Sequence, residues 1–94
     1  MGMALQRSEL GLAQEYEAPR SETERRLAEI WRASLDLDRV GIHDDYFWLR
    51  GDSLIAAVIF AEIERVFGVR LPMSTLVTAK SVAELARRID GQRT

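Results

Sequence analysis

The chain has 94 residues, 47% of them hydrophobic, no cysteine, and a formal net charge of −2. That length has room for one small domain with a compact core, and the interspersed charges exclude a basic face for nucleic acid. No apolar run approaches membrane-spanning length, and without cysteine there are no disulfides, thiolate nucleophiles or sulfur-ligated metals, so a soluble, cytoplasmic, monomeric protein is expected.

Residues 1–20 mix charged and small side chains without a sustained apolar stripe, although Leu5, Leu10 and Leu12 support a transient turn. A flexible leader or linker is expected there. Met1-Gly2-Met3 lacks the basic flank and long apolar region of a secretory signal and is left out of the fold. Pro19 discourages helix at the residue before it. Ser21-Glu22-Thr23-Glu24 has capping-box spacing, after which Leu27, Ile30, Trp31, Ser34 and Leu35 line one helical face, with Arg25, Arg26, Glu29 and Arg32 facing out. On that periodicity Trp31 belongs to the core. From Asp36 to Asp52 the pattern breaks into a long connection, which Val40, Ile42, Tyr46, Phe47 and Leu49 are expected to pack. One histidine beside two carboxylates, His43, Asp44 and Asp45, suits turn and capping roles better than a metal site.

The connection ends at Leu49-Arg50-Gly51-Asp52-Ser53-Leu54. Gly51 lets the backbone turn, Asp52 sets a negative charge at the positive end of the coming helix, and Ser53 falls at an N-cap or first-turn position with its hydroxyl towards water. In the helix from residue 53 to about 67, Ala56, Ile59, Phe60, Ile63 and Phe67 share the core arc. Leu54, Ala57, Val58 and Ala61 cluster in a second arc next to Ser53, apolar without being needed inside. Leu54 and Val58, with Trp48 and Arg50 from the loop, are therefore expected to form a shallow docking patch. Gly68 supplies a left-handed cap against which Val69 packs. Pro72 opens a short, marginal helix that tucks Leu76 and Val77 inward, and Ser81-Val82-Ala83-Glu84 starts a last helix with Val82, Leu85, Ala86 and Ile89 inside. The domain is read as residues 21–90, with 91–94 frayed. The sum is an all-α, small four-helix bundle of three main helices and one short one, with a long first loop.

The run Asp44-Asp45-Tyr46-Phe47-Trp48-Leu49-Arg50-Gly51-Asp52-Ser53-Leu54, with Phe67-Gly68-Val69 closing the helix, resembles the phosphopantetheine attachment region of carrier proteins. It is most similar to the peptidyl carrier (thiolation) domains of nonribosomal peptide synthetases. The likeness extends from Tyr16-Glu17-Ala18-Pro19-Arg20, similar to the linker between an adenylation domain and its carrier, through Ser81-Val82-Ala83-Glu84-Leu85-Ala86.

The resemblance implies an acyl carrier protein-like fold without catalysis of its own. It implies 4'-phosphopantetheine carried covalently on Ser53, with Gly51, Asp52 and Leu54 around the attachment point. Implied partners are a phosphopantetheinyl transferase, whose basic surface would recognise Asp52, and adenylation, condensation, epimerisation or thioesterase domains. Arg50 departs from the family, which usually has glycine there.

Three alternatives stand beside this reading. An acyl carrier of a polyketide-type pathway is one, although Glu62, Glu64 and Arg65 make this helix only mildly acidic. An unmodified helical interaction module, with Ser53 merely a cap, is another. A small hydrolase would need Ser53 activated by His43 and oriented by Asp44 or Asp45. The single histidine, the missing Gly-x-Ser-x-Gly context and the small size weigh against it.

Overall fold

The computed structural model describes residues 4–93, so Met1-Gly2-Met3 and Thr94 lie outside the described residues. Helix α1 spans Glu22–Leu35, α2 Ser53–Phe67, α3 Thr75–Thr78 and α4 Val82–Gln92, and a 3-10 turn at Arg7–Leu10 precedes them. Each long helix starts at a polar side chain that satisfies an otherwise orphaned amide. Ser21 Oγ accepts from the Glu24 N–H at 3.1 Å, and Ser81 Oγ accepts from the Glu84 N–H at 3.3 Å. Glu24 extends its cap outward, taking the Arg20 N–H at 2.8 Å and the Arg20 guanidinium at 2.9 Å, contacts that hold its carboxyl below the usual range. Helix α2 ends at Gly68, whose φ of 69° is the left-handed cap that the sequence implies.

Helices α2 and α4 both pack on α1. The core runs through Leu27, Ile30 and Trp31 of α1, Ala56, Ile59, Phe60, Ile63 and Phe67 of α2, and Val82, Leu85, Ala86 and Ile89 of α4, so the expected inward faces are the buried ones. A hydrogen bond of 2.7 Å from Thr23 Oγ1 to Asp90 Oδ1 joins the start of α1 to the end of α4. The long connection is packed by its own side chains: Leu37, Val40, Ile42, Tyr46 and Leu49 are all buried. It is also tied to the start of α4, since the Tyr46 N–H donates to the Lys80 carbonyl at 2.7 Å and the Ala83 N–H to the Ile42 carbonyl at 2.9 Å. The loop is thereby a fixed part of the bundle.

Four expectations are corrected. The segment read as a leader without a face to bury lies against the domain. Leu5 pairs with Leu37 in an isolated parallel bridge, and Arg7 is buried against Asp44. Its one buried side chain is charged, which hydrophobic periodicity does not register, and Leu5, Leu10 and Leu12, too irregularly spaced to form a stripe, pack half-buried against the core. Helix α4 runs on to Gln92 rather than stopping at Asp90, because Gly91 stays helical and the left-handed turn that would end a helix there is absent. Phe47 and Val77, expected inside, are exposed. Phe47 meets the buried Tyr46 ring only edge-on, at 5.3 Å between centroids. Helix α3 is one turn long and buries Thr75 and Leu76 instead of Val77.

Candidate functional site at the start of helix α2

The turn into α2 divides between two residues. Arg50 adopts a φ of 68°, the left-handed region that β-carbon-bearing residues seldom enter. The backbone reversal credited to Gly51 therefore falls on Arg50. Gly51 is needed for a different reason, since a Cβ there would overlap the ring of Tyr46.

Tyr46 is fully buried, edge-on to Trp31 at 5.2 Å between ring centroids, and its hydroxyl donates to the Asp52 carbonyl at 2.7 Å. Burial pushes its phenol up to about 12, so it stays a neutral donor. The same carbonyl accepts the Ala56 N–H at 2.9 Å, the first intrahelical bond of α2. Sequence reasoning assigns Tyr46 to packing alone; a phenol six residues before a helix cap carries no periodic signal.

Asp52 is the N-cap: its Oδ1 accepts from the Ile55 N–H at 2.8 Å. Ser53 is consequently the first helical residue, and its hydroxyl is exposed with no hydrogen-bond partner among the described residues. Because Asp52 does the capping, Ser53 Oγ is left for chemistry at the positive end of the helix dipole. His43 is not brought to it. Its Nε2 lies 3.3 Å from Glu17 Oε1, while Asp44 is taken by Arg7 and Asp45 Oδ1 by the Phe47 N–H at 2.8 Å. The hydrolase constellation is therefore not assembled, and no cluster of three or more metal-binding side chains occurs among the described residues.

Around Ser53 the surface is apolar. Leu54 is 76% exposed and Val58 52%, and Ala57 and Ala61 are exposed too, as are Trp48 and Arg50 of the preceding loop. A narrow crevice of about 120 Å³ opens beside Ser53, with Phe47, Ala56, Met73 and Val77 in its walls. Trp48 instead lines a separate cleft with residues 11–14 and His43. Phe47, Met73 and Val77 are thus surface neighbours of Ser53 that sequence reasoning missed. Met73 and Val77 are spaced i, i+4, which could have signalled a shared face.

The conformation of Arg50 has a measurable consequence. A left-handed L-residue costs roughly 1–2 kcal/mol, of which the greater backbone freedom of unfolded glycine offsets about 0.5–1 kcal/mol. Arg50→Gly is therefore expected to stabilise the domain by about 0.5–1 kcal/mol, seen as a higher urea midpoint at unchanged m-value. A lower midpoint would mean that the guanidinium makes contacts worth more than the strain.

Comparison with known proteins fits this geometry. The family model described as "phosphopantetheine attachment site" matches residues 25–89, which include the whole loop and α2. The chain belongs to this family. The chain is 46% identical over 72 residues to tyrocidine synthase 3 of Brevibacillus parabrevis, covering 77% of this chain and 1% of that protein. It is 40% identical over 86 residues to gramicidin S synthase 2 of Aneurinibacillus migulanus, covering 90% of this chain and 2% of that protein. The chain thus spans only one or two hundredths of the length of these curated relatives. Among solved structures, an active-site mutant peptidyl carrier protein superposes with a TM-score of 0.82 at 30% identity, covering 87% of this chain and 91% of that one. A peptidyl carrier protein solved with coenzyme A and the phosphopantetheine transferase Sfp superposes with a TM-score of 0.78 at 33% identity, covering 81% and 99%. The carrier domain therefore has the all-α bundle of peptidyl carriers, and its cofactor is 4'-phosphopantetheine.

Proposed function

We propose that this chain is the peptidyl carrier of a nonribosomal peptide synthetase and that Ser53 Oγ is its attachment point. The observation that carries the assignment is the exposed, unpartnered hydroxyl on the first residue of α2, capped from behind by Asp52. A phosphodiester there meets the positive end of the helix dipole and the free amides of the first turn, and Gly51 and Leu54 flank it without crowding. In the loading step Ser53 Oγ forms a bond to the phosphorus next to the pantetheine arm of coenzyme A. The diphosphate bond breaks, adenosine 3',5'-bisphosphate leaves, and the serine proton passes to a base of the transferase. The bound group supplies the thiol that this cysteine-free chain lacks, on which aminoacyl or peptidyl groups are held as thioesters.

The carrier itself contributes position and an address. Asp52 offers charge to the basic surface of a transferase. Trp48, Arg50, Leu54 and Val58 offer contacts to adenylation, condensation, and epimerisation or thioesterase domains in turn. This role involves no catalysis by the carrier and a cytoplasmic site of action. Among the described residues no helix is long and apolar enough to cross a membrane.

Intact mass after incubation with coenzyme A and a broad-specificity transferase tests the assignment. One phosphopantetheine is expected on the wild type and none on Ser53→Ala. A modified Ser53→Ala would move the attachment elsewhere. Since Asp52 rather than Ser53 caps α2, the alanine variant should melt within about 0.5 kcal/mol of the wild type.

A further inference from the structure

Residues 5–17 are seated on the carrier by a small number of separated contacts. At one end Leu5 exchanges backbone hydrogen bonds with the loop, its N–H to the Asp36 carbonyl at 3.0 Å and its carbonyl to the Asp38 N–H at 2.9 Å. At the other, the Ile42 N–H donates to the Glu17 carbonyl at 3.0 Å. The Arg39 guanidinium also lies over the Tyr16 ring at 3.9 Å and His43 Nε2 is 3.3 Å from Glu17 Oε1, and between the two ends stands a two-pronged latch. Arg7 Nε and Nη2 each reach a different oxygen of Asp44 at 2.6 Å, Nη2 also reaches the Gln14 carbonyl at 2.7 Å, and the Arg7 N–H donates to Asp38 Oδ1 at 2.7 Å. One guanidinium thus closes the segment on itself and fastens it to the loop that leads to Ser53.

The seat is shallower than the core: its leucines pack against the core without being covered by it. Leu5, Leu10 and Leu12 are only partly buried, while Ser8, Glu9, Gly11, Ala13, Gln14 and Glu15 are exposed. A cleft of about 360 Å³ runs between residues 11–14 and the loop and has Asp44 in its wall. If Arg7 withdraws, Asp44 keeps the Gly41 N–H at 2.8 Å and water can enter from this cleft, so its carboxylate need not remain buried without partners. Such a contact can open without the bundle unfolding.

We propose that residues 5–17 form a detachable strap, latched by Arg7 on Asp44, which sets how far the carrier can travel from any polypeptide joined ahead of it. The consequence for reach rests on the carrier reading; the strap itself does not. About 13 residues released as flexible chain have a root-mean-square span of roughly 20 Å and a fully extended limit of about 45 Å. The longest dimension of the whole molecule, strap included, is 37 Å. Opening the latch therefore adds a reach comparable with the domain itself, and closing it holds the carrier near its tether.

Amide hydrogen exchange on this chain, with backbone order parameters, tests the strap. In the wild type the Leu5 and Arg7 amides are expected to exchange at least tenfold faster than that of Ile63, through opening that spares the core, while order parameters over residues 5–17 stay near those of α2. Arg7→Met should speed exchange at Leu5 and Arg7 a further tenfold or more and lower the order parameters of residues 5–17, with the Ile63 rate unchanged. Arg7→Lys, which keeps the charge but loses the two-pronged geometry, should fall between them. Strap amides that exchange in step with Ile63 in the wild type, or that move in step with it in Arg7→Lys, would make the segment an integral part of the bundle and overturn the proposal. Transferase modification is read on the same samples. A strap that opens on a chain that never accepts phosphopantetheine would support the device and defeat only the carrier reading.

Discussion

Gly51→Ala is expected to lower the stability of the domain by about 2–4 kcal/mol, although it adds a single methyl group to a partly exposed loop. The added carbon would occupy the space of the Tyr46 ring. That ring cannot step aside, because it is fully buried, edge-on to both Trp31 and Phe47, and its hydroxyl is bonded to the Asp52 carbonyl. The loop must move instead. Overpacking of this kind costs roughly 1–3 kcal/mol, and losing the Tyr46 hydroxyl bond adds about 1 kcal/mol. At about 4–8 °C per kcal/mol for a domain of this size, Tm should fall by at least about 8 °C. The start of α2 hangs from the same Asp52 carbonyl, so the variant should also be modified by the transferase more slowly at a temperature where it is still folded. Unchanged melting would mean that Tyr46 has room the structure does not give it.

That pair of residues also shows what the sequence can and cannot reveal. The inward faces of α1, α2 and α4 were legible because apolar residues at helical spacing have only one way to be buried together. The serine at the helix mouth was legible because Gly51-Asp52-Ser53 is local chemistry, complete within one turn. The division of labour in that turn was not. Arg50 takes the left-handed conformation and Gly51 yields to a ring from earlier in the loop, and neither follows from residue type, since a glycine satisfies both demands equally well in a sequence. Which residue caps α2 was equally hidden, because Asp and Ser are both good caps and only the backbone decides. The seating of residues 5–17 was the furthest from view. It depends on Arg7 meeting Asp44, a pair 37 positions apart, and a long-range ion pair leaves no period to read.

The second large effect concerns the surface rather than the fold. Leu54 and Val58 stand one turn apart on α2, at 76% and 52% exposure, and nothing among the described residues covers them. Making an apolar pair held in water beside Ser53 polar costs the free domain nothing, but it removes the surface a partner would bury. Val58→Glu is accordingly expected to leave the stability within about 0.5 kcal/mol of the wild type, and Tm nearly unchanged. Glu62 lies four residues on, but its charge is already met by Arg65 at 2.7 Å, so the added repulsion is small. Aminoacylation of the phosphopantetheinylated protein by its adenylation partner should show KM for the carrier raised about tenfold or more, a loss of about 1.4 kcal/mol of docking, with kcat retained once the two are bound. Repeating the assay in high salt separates the causes. A defect in apolar docking persists, whereas a defect from the added charge alone fades as the Debye length shrinks. A large fall in Tm with unchanged KM would place Val58 among the residues that hold the bundle together and remove it from the docking surface.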